Sequence, residues 1–78
     1  MEKHKVFEKL GRLQKEYVLR AISFRQEGHG ALASQELHKT LSLYDVVETL
    51  GYNSKEFEEY YQEHNKRFRK EIKEEVLS

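Results

Sequence analysis

Apolar residues recur every three or four positions along both ends of this chain, and no proline interrupts them. That spacing is the period of a helix and leaves little room for strands, whose apolar residues alternate. Val6, Leu10, Leu13, Tyr17, Ala21 and Phe24 follow one another at 4-3-4-4-3 spacing, with Phe7, Val18 and Ile22 widening the stripe. They predict a long amphipathic helix over residues 3–27. Gly11 is its weak point, because glycine in a helix interior costs ~1 kcal/mol against alanine. It can instead mark the close approach of a neighbouring helix. Phe57, Tyr60, Tyr61, His64, Phe68, Ile72 and Val76 predict a second long helix over 55–77. The pairs Glu8–Arg12, Glu16–Arg20, Glu63–Arg67, Arg67–Glu71 and Lys70–Glu74 have the i,i+4 spacing that supports exposed helix faces.

Between these helices the chain is punctuated. Gly28-His29-Gly30 reads as a helix stop. Residues 31–40 predict a further helix, with Leu32, Ala33, Leu37 and Leu41 able to face a core. Ser42 can cap a new helix, with Asp45 placed to reach back to it, which argues for a break near Thr40; one continuous helix over residues 31–50 is the other reading. Leu43, Val46, Val47 and Leu50 then share a face, and Gly51 stands where a helix often ends in a left-handed residue. Ser54 can cap the last helix. The expected fold is an all-α bundle of three to four helices, two long and one or two short, forming a single domain over residues 1–78.

Composition narrows the chemistry. Fourteen basic and fourteen acidic residues cancel, whereas nonspecific binders of nucleic acid or anionic membrane usually carry a basic excess. There is no cysteine to form a disulfide or a thiolate metal site. No apolar run reaches the ~18–20 residues of a membrane span, and no signal-peptide core follows the charged start, so a cytoplasmic protein without a membrane partner is expected. The histidines (His4, His29, His38, His64) show no zinc-binding spacing; His29 and His38 with Glu27 or Glu36 are the nearest approach to one. No nucleophile elbow or phosphate-cradling loop is present. The expectation is therefore no enzyme, no cofactor and no metal.

Helix length adds a geometric constraint. Helices of 22–25 residues are ~33–37 Å long, whereas a globule of this size is only ~30 Å across. The two long helices are expected to lie antiparallel, with residues 31–50 folded over one end and their outer turns projecting. Val6, Phe7, Ile72 and Val76 would then need cover, from a second copy in a homodimer or from a partner whose groove takes a helix.

The segment Leu41–Phe57 resembles the helix-turn-helix of AraC-type transcription regulators. Leu41, Ser42, Asp45, Leu50, Gly51, Tyr52, Ser54 and Phe57 carry the resemblance, and Val47 stands where that family usually has alanine. The resemblance covers under a quarter of the chain and implies a DNA-binding regulator, with the Lys55 helix entering the major groove. Glu56, Glu58, Glu59 and Glu63 in that helix oppose the phosphate backbone, so DNA is the disfavoured partner.

Five tyrosines and four phenylalanines point elsewhere. Tyrosine combines contact area with a polar tip and suits interfaces. The leading expectation is a small regulatory or adaptor protein that binds another protein through an apolar, Tyr-rich helical face. Tyr44, Tyr52, Tyr60, Tyr61 and Phe68 would form its centre and Lys66, Arg67, Arg69 and Lys70 its rim. A helix-turn-helix DNA-binding regulator is the alternative, and a purely structural helical oligomer the third reading.

Overall fold

In the computed structural model the chain forms three helices, α1 (Lys3–Gln26), α2 (Gly30–Thr49) and α3 (Ser54–Leu77). The structure describes residues 2–77, with side chains through Glu74. No strand occurs among the described residues, and the all-α expectation holds.

In the middle of the chain the continuous reading holds, against the one the Ser42 cap favoured. Residues 30–49 form one helix nearly as long as its neighbours, with no break at Thr40. The hydroxyls that suggested a break turn back onto the helix instead. Thr40 Oγ1 donates to the Leu37 carbonyl at 2.6 Å and Ser42 Oγ to the Lys39 carbonyl at 2.7 Å. Such back-bonding lets Ser and Thr sit in a helix interior.

Both turns are closed by glycine. Gly28 has φ 83° and Gly51 φ 88°. After each helix, the glycine N–H and the next N–H bond to carbonyls of the last turn. Gly28 pairs with Arg25 and His29 with Phe24; Gly51 pairs with Glu48 and Tyr52 with Val47. This is the Schellman arrangement. The cap of α3 is Asn53 rather than Ser54. Asn53 Oδ1 accepts from the Lys55 and Glu56 N–H groups at 2.8 and 3.3 Å, while the Ser54 N–H donates to Glu48 Oε1 at 3.0 Å.

A single long return helix reverses one expectation. α2 carries the chain back along α1, so α3 starts near the beginning of α1 and runs parallel to it, not antiparallel. Lys3–Glu56, Glu8–Arg67 and Arg12–Glu71, at 3.0, 3.0 and 2.7 Å, rise together in number along both helices. Glu8 and Arg12 thus each reach across to α3. α3 lies mainly against α1 and meets α2 least.

The core forms where all three helices meet. Val6, Phe7, Leu43, Val47 and Phe57 are buried together, with Leu10, Leu13, Tyr17, Tyr44, Tyr52 and Tyr60 packed around them. Val6, Phe7 and Ile72 are therefore covered within the chain, at 6%, 2% and 5% exposure, and do not project. Val76 lies outside the described side chains. The seam continues through Phe68, whose ring lies directly over Gly11.

Candidate functional site

The residues expected to form a Tyr-rich surface are drawn largely into the fold. Phe68 and Tyr61 are buried and stack on one another at 6.3 Å. Tyr44 meets Phe57 edge-on at 5.7 Å. Tyr52 and Tyr60 pack on Phe7 at 5.9 and 5.7 Å, and Tyr44, Tyr52 and Tyr60 remain half-buried. Burial pushes the Tyr61 hydroxyl pKa up and Tyr44 adds to it, with Arg69 offsetting part of the rise. Phe68 and Tyr61 thus have almost no surface to offer a partner. Contact area and core volume call on the same residue types, so composition alone could not separate the two roles.

The expected rim is exposed along the outer half of α3. Lys66, Arg69 and Lys70 face solvent. Arg67 bonds to Glu8 and lies 4.9 Å above the Phe68 ring. It serves as a strut between α1 and α3 as well as a surface charge.

One polar cluster was not legible in the sequence. Glu36 is buried between α1 and α2, 3.4 Å from Arg20 Nε and 3.1 Å from Lys39 Nζ. The same two cations flank Tyr17, at 5.2 and 5.6 Å from its ring centre. Burial raises the Glu36 pKa, but the Lys39 hydrogen bond and charge, joined by Arg20, outweigh it and hold the carboxyl below its ordinary range. Glu36 is thus committed to ion pairs within the fold. Among the described residues no group of three His, Asp or Glu side chains is arranged to hold a metal ion.

What the packing leaves uncovered is the outward face of α2. Of its apolar residues, Ala33, Leu43 and Val47 are buried, whereas Leu32, Leu37, Leu41, Val46 and the following Leu50 are exposed. Of Leu32, Ala33, Leu37 and Leu41, all expected to face the core, only Ala33 does; Glu36 is buried beside it while the three leucines are exposed. Leu41 is the most exposed of these at 62%. Ser34, Leu37, His38, Thr40 and Leu41 line an open concavity of about 370 Å³. The face is poor in charge, because α2 carries only Glu36, Lys39, Asp45 and Glu48 and the first two turn toward α1. The signal available in sequence was this contrast: α2 is apolar on more than one side, while α1 and α3 alternate charges.

Among the described residues no helix is long and apolar enough to cross a membrane. At the turn shared with the helix-turn-helix resemblance, Glu56, Glu58 and Glu59 stand exposed on the first turns of α3, with Lys3 paired to Glu56. Comparison of the chain with family models, with curated proteins and with solved structures finds no match.

Proposed function

We propose that this protein is a small non-enzymatic interaction module, of the regulatory or adaptor kind, that binds a protein partner through the outer face of α2. The observation that carries this reading is the run of exposed Leu37 and Leu41 beside a concavity on a helix that shows few charges. Single exposed leucines are ordinary on protein surfaces, but a contiguous apolar area bordered by polar residues is characteristic of interaction sites. The Tyr-rich cluster then acts from below, as the rigid support of that helix through Tyr44 and Phe57. The DNA-binding alternative requires the first turns of α3 to approach phosphates, and the exposed Glu56, Glu58 and Glu59 speak against it.

Site-specific photocrosslinking tests the reading. A photoreactive side chain at position 41 should give a defined protein adduct that Leu37→Asp abolishes, while one at position 70 should not. Adducts from position 70 alone, or adducts from 41 indifferent to Leu37→Asp, would overturn it.

A further inference from the structure

The face just described has a pattern that selects its occupant. Ser34, Leu37, His38 and Leu41 stand at i, i+3, i+4 and i+7, the four corners of a hole that receives a side chain from a second packed helix. Further along the same stripe is Asp45. On a helix, residues three, four and seven apart share a face, so His38, Leu41 and Asp45 form one line, with an imidazole on one side of the leucine and a carboxylate on the other. All three are exposed.

That arrangement is self-complementary in one orientation only. Laid antiparallel against itself about a two-fold axis near Leu41, the stripe brings His38 of each copy opposite Asp45 of the other. Laid parallel, it sets imidazole on imidazole and carboxylate on carboxylate. The remaining charges do not oppose the antiparallel arrangement. Glu36 and Lys39 are engaged with Arg20 and Tyr17. Glu48 falls opposite Ser34, and its carboxylate already accepts from the Ser54 N–H. A zero net charge adds no general repulsion between copies.

We propose that the occupant of this face is the α2 helix of a second copy of this chain, packed antiparallel with Leu41 near the two-fold axis. This rests on the reading of α2 as the interaction face and names its partner. Such a contact is isologous, each copy presenting the same patch. One helix pair covers less than the ~1,200–2,000 Å² of a stable complex, so the dimer is a weak one, forming in the micromolar range or above.

The test is sedimentation equilibrium across micromolar to millimolar concentration, with helix content followed by circular dichroism. Wild type should dimerise and Leu41→Asp should remain a folded monomer. Asp45→Lys and His38→Glu should each weaken the dimer roughly three- to ten-fold, two exposed charge contacts changing per dimer. The double variant His38→Glu/Asp45→Lys sets opposite charges across the axis and should recover most of the loss. A wild type monomeric throughout, or a double variant as weak as either single one, would overturn the self-pairing. An adduct with an unrelated protein from position 41 would leave the interaction face standing while the self-pairing fails, so the two outcomes are separable.

Discussion

The ring of Phe68 occupies the space that a side chain at Gly11 would need. A Cβ at position 11 would lie 2.6 Å from Cε2 and 2.8 Å from Cζ of that ring. Phe68 itself is fully buried. The glycine thus accepts a helix-propensity cost so that α3 can lie close against α1, and the parallel ladder of Lys3–Glu56, Glu8–Arg67 and Arg12–Glu71 borders that contact.

Gly11→Ala should therefore destabilise despite alanine's better propensity. Overpacking costs ~1–3 kcal/mol and the propensity gain is ~1 kcal/mol, which leaves a net loss of about 1 kcal/mol. Phe68→Ala should cost about 3–5 kcal/mol, a large part of the stability of a chain this size. Phe68→Leu, which shortens the ring, should make Gly11→Ala less harmful in the same background. A double-mutant cycle by urea unfolding measures the coupling; additive effects would contradict the close approach.

Asn53, not Ser54, caps α3. Asn53→Ala should cost about 1 kcal/mol, the usual value of a lost cap. Ser54→Ala keeps its N–H bond to Glu48 and loses only its hydroxyl's bond to the same exposed carboxylate, so it should cost less than the lost cap. Thermal unfolding of the two variants side by side decides the assignment.

These particulars divide what the sequence carries from what it leaves open. The two long helices were legible because their stripes run uninterrupted, and both glycine stops follow from positive φ at Gly28 and Gly51. The continuity of α2 was not, because the hydroxyls of Thr40 and Ser42 can cap a helix or bond back within one, and only the fold chooses. Direction followed the same error: once α2 is a single long return, α3 must run parallel to α1. The candidate site was the least legible part. An apolar stripe says that a residue will be packed, but not whether it packs on its own chain or on another. Tyr61 and Phe68 turned inward while Leu37 and Leu41 stayed out.

Glu36 should make stability depend on acid pH. Its folded pKa is depressed by Lys39 and Arg20 after their effect overcomes burial. A depressed carboxyl contributes stability above its unfolded pKa of ~4.3 and loses it as pH falls through the folded value. Urea unfolding at neutral pH and at pH values below ~4 should show wild type losing stability more steeply than Glu36→Gln. Equal slopes would contradict the role assigned to the pair.

Lys15 has the opposite sign. Burial lowers its pKa and Arg69 lowers it further, so its charge is less favourable folded than unfolded. That penalty is fully present below the folded pKa and fades as pH rises toward the unfolded value of ~10.4. Lys15→Met should stabilise at neutral pH, toward the low end of the ~0.5–2 kcal/mol typical of such changes because the ammonium keeps partial access to water. A loss of stability on that substitution would show that the aliphatic stem, not the charge, governs the site.

The central claim is that association uses α2's outer face, and amide NMR spectra over a concentration series test it most directly. From micromolar to millimolar protein, shifts should move for residues 34–48 of α2 and stay fixed along the outer faces of α1 and α3. Spectra that do not change with concentration would contradict self-pairing through that face, and changes centred on Lys66, Arg69 and Lys70 would contradict the face itself.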